Sequence, residues 1–281
     1  MNLRIAEKVR KVLVYLILAL LSFLCLFFFY ILIINSTRNH FQIQKGFAFL
    51  PGSSFGQNMT NVLNDANIPV LLGVRNSLIV SVLSAVLATY FSALTAYGLY
   101  VYQFRFRKAA FVFIMLIMTM PTQVSALGFL NLITKMNLSD SLIPLFLPSI
   151  AAPAVFYFMY SYMESNLPMD LVEAARVDGS GEFRTFNSIV LPLMKPAIAV
   201  QAIFTFVTSW NNYFLPALVI SSNDKKTLPI LIASLRSADF LKFDMGKVYM
   251  LITIAIIPII IVYILLSRFI VEGIALGGVK E

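Results

Sequence analysis

Acidic and basic side chains are scarce in this chain, and they form a pattern in the polar stretch 164–195, which lies between two apolar runs. It contains Leu171-Val172-Glu173-Ala174-Ala175-Arg176-Val177-Asp178-Gly179 and closes on Ile189-Val190-Leu191-Pro192. The spacing predicts two short helices around a glycine turn. Asn166 caps the first, Pro168 suits its opening turn, and Asp170 and Glu173 put negative charge where the helix dipole favours it. Gly179 takes the left-handed conformation that stops the helix, and Ser180 caps a second helix running through Phe183 and Phe186 towards Ile189. Glu173 and Arg176 are three apart and pair across one face, with Leu171, Ala174 and Ala175 on the other. The chemistry open to such a unit is recognition rather than bond making. A slim apolar peg with a carboxylate at its rim fits a cleft on a partner; an amphipathic helix lying on a membrane surface is the other reading of the same composition.

Bond-making chemistry lacks its parts. Cys25 and His40 are the single cysteine and the single histidine. The chain therefore holds no intrachain disulfide, no clustered Cys/His metal site, and no Ser/His/Asp triad unless His40 supplies the base. Cys25 is expected as a packed or lipid-facing thiol. A second candidate set is Ser209-Trp210-Asn211-Asn212-Tyr213-Phe214-Leu215-Pro216, which joins aromatic surface to amide hydrogen bonding, chemistry suited to a sugar. Trp and Tyr also gather at membrane interfaces, so an anchor or gate role for Trp210, Asn211 and Asn212 is preferred over direct solute contact.

The elements that carry these residues are membrane spans. A chain of 281 residues with 59% hydrophobic and 12% charged residues, and a mean hydropathy of +0.86, lies outside the range of soluble domains. Six apolar stretches hold no Asp, Glu, Lys or Arg: 12–35, 76–104, 109–134, 141–163, 196–223 and 248–267. Each can supply the roughly 20 residues that cross about 30 Å of hydrocarbon as a helix. The alternation of barrel strands is absent, so the fold class is an all-α polytopic membrane protein with six transmembrane helices.

Arg4, Lys8, Arg10 and Lys11 precede the first run and place the amino terminus in the cytoplasm. Six crossings then bring both termini inside. The turn with Arg105, Arg107 and Lys108 and the stretch 164–195 become cytoplasmic, and 36–75 and 224–247 extracytoplasmic. The last carries Lys225, Lys226, Arg236, Lys242 and Lys247, partly offset by Asp224, Asp239 and Asp244. The net charge of +8 belongs to orientation and to the headgroups of membrane lipid. Nucleic acid is excluded as a partner, because the basic residues form no stripe interleaved with aromatics.

This divides the chain into an amino terminus and first helix (1–35), an extracytoplasmic segment (36–75), a five-helix core (76–270) and a tail (271–281). Pro51-Gly52-Ser53-Ser54 makes 36–75 a linker or small cap. Ser77, Ser81, Ser84, Ala85, Ala88, Ser92, Ala93, Ala96 and Gly98 give the second run a small-residue surface that packs against protein. Pro121 in the third run, and Pro144, Pro148 and Pro153 in the fourth, predict kinked or broken helices, which serve packing or line a pathway.

Ion-coupled carriers keep ionisable side chains within their spans, and these runs have none, so energy should enter from elsewhere. The order Glu173-Ala174-Ala175, three residues, Gly179, nine residues, Ile189, one residue, Leu191-Pro192 resembles the EAA signature of the membrane subunits of bacterial ABC importers. The match lies in identity, spacing and place before the penultimate span. The resemblance implies a MetI-like permease core whose coupling helices dock into a groove on a cytoplasmic ATPase. Glu173 would make the polar contact, Ala174 and Ala175 the close packing and Gly179 the bend, with Ile189, Leu191 and Pro192 ending the signature. It also implies that ATP and Mg2+ sit on the partner ATPase, this chain binding no cofactor. No GxxxxGK[ST] run is present, in keeping with that division.

Two looser matches narrow the family. The stretch from Trp210 to Pro216 resembles the Trp-Asn and Leu-Pro region of carbohydrate importers. The stretch from Val271 to Glu281 is similar to the glycine-rich tail of the MalG-like sugar permeases, which reaches between two ATPase subunits. That would make Gly277, Gly278, Val279 and Lys280 an ATPase contact; a frayed terminus is the plain alternative. The resemblance thus implies half of a carbohydrate permease in a bacterial cytoplasmic membrane. Its partners would be a homologous permease subunit, two ATPase subunits and an extracytoplasmic solute-binding protein meeting 224–247. The rivals are an ABC permease for another solute such as a polyamine or phosphate, an ion-coupled secondary transporter or channel, and a membrane enzyme.

Overall fold

A computed structural model describes residues 3–236 and 244–277. In chain order the helices are α1 (Leu3–Ser36), α2 (His40–Gln44), α3 (Phe55–Leu63), α4 (Val70–Val101), α5 (Arg107–Met118), α6 (Thr122–Lys135), α7 (Ile143–Phe146) and α8 (Pro153–Asn166). They continue with α9 (Met169–Val177), α10 (Glu182–Thr185), α11 (Leu191–Leu193), α12 (Lys195–Trp210), α13 (Phe214–Val219), α14 (Leu228–Arg236) and α15 (Met245–Gly277). A 3₁₀ turn covers Leu147–Ile150 and a π-helical turn Phe186–Val190.

Four stretches are long and apolar enough to cross a membrane: Glu7–Ser36, Val70–Val101, Ile143–Asn166 and Met245–Phe269. Two bent pairs, α5 with α6 and Glu182–Leu193 with α12, bring the count to six if each is one span. The breaks follow proline, as expected. Pro121 stands between α5 and α6, and Pro144, Pro148 and Pro153 each fall in the first turn of their segment, where the missing N–H has no intrahelical partner to lose. The outer surface suits lipid: Leu26 and Phe28 of α1 are 67% and 71% exposed, and Cys25 beside them is exposed too.

The chain forms two compact units, Met1–Val70 with Ile232–Ile256, and Leu71–Leu231 with Ile257–Glu281. In the first, the segment after α1 folds back as a cap. The Asn58 amide is buried and donates to the carbonyls of Ser36 and Arg38 at 2.8 and 2.9 Å. Arg38, also buried, donates to the Asn35 side chain and to the carbonyls of Gly46 and Gln42. His40 Nδ1 accepts the Met245 amide at 3.1 Å, and Lys247 pairs with Asp65. These buried polar groups are thus answered, which is what allows irregular backbone to pack.

In the second unit the small residues of α4 meet protein: Ala88, Ala93 and Ala96 are fully buried among Phe156, Met159, Val172, Phe186 and Met194. A polar staple lies between α6 and α7. Asp140, at φ +55°, accepts from the amides of Ser221 and Ser222, from the Ser222 hydroxyl, and from Lys225 at 3.1 Å.

Candidate functional site

Helix α9 starts at Met169, with Pro168 just ahead of its first turn and Asp170 within it. Asn166 is not the cap: it is the last residue of α8, and its amide donates to the Tyr162 carbonyl. Gly179 ends the helix at φ +77°, with open space around it, as the turn requires. Ser180 does not cap α10 either. Gly181 holds that position, and the Ser180 hydroxyl accepts from Thr185 at 3.0 Å.

The two alanines part company. Val172 and Ala175 are buried within the second unit, whereas Glu173 and Ala174 are exposed. Successive helix residues point about 100° apart, so neighbours cannot share a narrow face. The free face continues into Leu171, Val177 at 87% exposure and Phe183 at 68%. An outward apolar patch beside a free carboxylate is a surface built for contact.

Arg176 does not pair with Glu173. Its Nε donates to Glu182 Oε1 at 2.8 Å, across the glycine turn, and its guanidinium lies 5.5 Å over the Tyr102 ring. The hydrogen bond to Glu182 holds the guanidinium charged even more firmly than usual. Glu182 Oε2 accepts in turn from the Tyr97 hydroxyl of α4 at 2.9 Å. Two further α4 tyrosines reach the same segment: Tyr90 donates to Asn187 Oδ1 at 3.2 Å and Tyr100 to the Leu167 carbonyl at 3.3 Å. Phe186, fully buried, sits between the rings of Tyr90 and Tyr97 at 5.8 and 5.4 Å. Sequence reasoning read α4 for its small residues and missed these hydroxyls; the signal was Tyr90 and Tyr97 seven apart, on one helix face. Of the signature's end, Ile189 is half-buried and Leu191 and Pro192 open the single turn of α11.

The second candidate set borders a cleft of about 360 Å³ within this unit. Ser84, Ser149, Gln201, Thr205, Thr208, Ser209 and Asn212 give it a polar lining, and Phe204 an aromatic one. Of the predicted set, Ser209 and Asn212 lie on it, and of Trp210, Asn211 and Asn212 only the last does. Asn211 is exposed just past the end of α12. Trp210 is 2% exposed and stacked on Phe206 at 5.6 Å. An interfacial anchor would present its ring at the surface, so that part of the expectation is corrected: the ring is a core group behind the cleft wall. Gly277 is the last residue of α15; Gly278, Val279 and Lys280 lie outside the described residues.

The family described as "Binding-protein-dependent transport system inner membrane component" matches residues 85–275. The chain belongs to this family. It is a permease subunit of an ABC importer, a multi-pass all-α membrane protein. This permease is 34% identical over 208 residues to the arabinooligosaccharide transport system permease protein AraQ of Bacillus subtilis, covering 73% of this chain and 72% of AraQ. It is 30% identical over 254 residues to the sn-glycerol-3-phosphate transport system permease protein UgpE of Agrobacterium fabrum, covering 87% and 88%. Its fold matches a chain of a bacterial ABC transporter involved in import of the acidic polysaccharide alginate, with a TM-score of 0.78, 21% identity, and 94% and 97% of the two chains covered.

Proposed function

We propose that this permease is one half of the translocation pathway of a carbohydrate importer, with an oligosaccharide as solute, and that α9 and α10 dock it onto a cytoplasmic ATPase. The observation that carries the docking role is the exposed face of Glu173, Ala174, Val177 and Phe183, held on a unit whose inward face is fully packed. Leu191 and Pro192 close the docking segment. In this reading each bent pair is one span, the six spans bring both termini to the cytoplasm, and 36–75 lies outside. A homologous permease pairs with the core 76–270, two ATPase subunits hold ATP and Mg2+, and a solute-binding protein delivers the sugar to the outer side. The tail 271–281 reaches the ATPases.

Relatedness to AraQ supports a carbohydrate. Relatedness to UgpE favours a second reading, a phosphorylated polyol. The lining of the cleft supports the first. It offers hydroxyls, amides and an aromatic ring but neither Lys nor Arg, and a phosphate calls for cationic donors where a sugar does not. Ser84, Gln201, Thr205 and Asn212 are therefore the expected solute contacts.

The docking role is tested with the complete complex in vesicles carrying Glu173→Lys or Gly179→Pro. Proline cannot reach the positive φ of Gly179, and lysine reverses the rim charge. ATP hydrolysis stimulated by the binding protein is expected to fall roughly tenfold or more, as for other interface charges whose partner is left unpaired. Normal stimulation in an assembled complex would overturn the docking assignment.

A further inference from the structure

Motion of α9 has to reach the spans. One covalent route leads back through Leu167 and Pro168 into α8; the other, forward to α10, runs through Gly179, which sits at φ +77° with no neighbour within 4 Å of a side chain placed there. A turn of that kind bends easily. Besides its own backbone hydrogen bonds, from the Gly179 amide to Arg176 O and the Ser180 amide to Ala175 O, it is braced by the Arg176 to Glu182 bridge, which ties the last turn of α9 to the first of α10 at 2.8 Å. The same carboxylate is then tied by its other oxygen to Tyr97, whose ring is 3% exposed inside α4. Tyr102 stacks on the guanidinium from one side and edges the Tyr97 ring at 6.2 Å. One carboxylate thus joins both short helices to one long helix.

We propose that Arg176, Glu182 and Tyr97 form a latch that makes α9, α10 and α4 move as one body, and that they are positioning residues for energy transfer from the ATPase. The proposal rests on the docking role given above. The latch suits transmission better than stability. Its ion pair is part-exposed, with 36% and 42% of the two side chains accessible, and such pairs contribute little to folding. Removing it should leave the fold standing while loosening the connection.

The experiment uses the assembled importer in a Cys25→Ser background, with a spin label at Asp170→Cys on α9 or at Val86→Cys on α4, both exposed sites. Spectra are compared with and without Mg2+ and a non-hydrolysable ATP analogue. Both labels are expected to respond in the parent complex. With Glu182→Gln or Tyr97→Phe, the response at Asp170→Cys persists and that at Val86→Cys falls by roughly two- to thirtyfold, the range of coupling changes from single substitutions along a network. The double substitution should do no more than either alone, because both cut one connection. Exchanging the ends, Arg176→Glu with Glu182→Arg, should restore the response, since the Tyr97 hydroxyl can accept from Arg as well as donate to Glu. An unchanged Val86→Cys response in Glu182→Gln overturns the latch, as does a loss that tracks a lowered melting temperature. A parent complex in which neither label responds instead defeats the docking role itself.

Discussion

Asp140 shows how much one residue can organise in an irregular stretch. It sits at φ +55°, a region that suits glycine, asparagine and aspartate, and its carboxylate gathers two amides, a hydroxyl and an ammonium. The Ser222 hydroxyl first, then the amides of Ser222 and Ser221, then Lys225, hold the carboxyl well below the ordinary carboxylate range. A depressed acid stabilises the fold in full above its unfolded value of about 4 and loses that contribution as pH falls below it. Asp140→Asn keeps the backbone preference and removes the charge together with one acceptor oxygen. The variant is expected to melt lower than the parent at neutral pH, with the gap closing once the pH drops under about 4. Thermal denaturation of the purified permease across pH measures this, and a gap that is constant with pH would refute the charge argument.

At the scale of elements, the cap in the first unit depends on close backbone approaches at Gly52 and Gly246. A β-carbon at Gly246 would stand 2.7 Å from Asn58 Oδ1 and 2.9 Å from the Arg38 carbonyl, both held by buried hydrogen bonds and unable to yield. Gly246→Ala should therefore destabilise the cap by about 1–3 kcal/mol, the usual cost of overpacking, even though alanine is the better helix former. Protease nicking between α2 and α3 reads this out, with faster cleavage than in the parent expected. Which element features were legible in the sequence follows from range. The proline breaks and the stop at Gly179 are local backbone effects, and the burial of Ala88, Ala93 and Ala96 follows from size alone. The partner of Arg176 was not legible, because Glu173 at three residues and Glu182 at six both lie within reach and only the turn geometry chooses. The hydrogen bond from Tyr97 to Glu182 joins positions 85 residues apart, and no period reports it. The polar lining of the cleft hid for another reason: Ser84 was counted as small, and Gln201, Thr205 and Thr208 are ordinary residues of an apolar helix until a neighbouring wall faces them.

For the whole molecule, the question is where the work of transport is done. The six apolar runs contain no Asp, Glu, His, Lys or Arg, so they offer no fixed charge with which to bind a proton or a sodium ion. Among the described residues the ion pairs, Arg176 with Glu182, Asp140 with Lys225, and Asp65 with Lys247, all lie outside those runs. In the docking reading proposed above, the energy for a solute gradient comes from a partner that acts on the exposed face around Glu173. Uptake by the complete importer in vesicles is therefore expected to require ATP on the side of α9 and to be unchanged when ionophores collapse the proton and sodium gradients. Uptake that survives removal of ATP and falls with either gradient would place the energy source within the spans and reverse the argument.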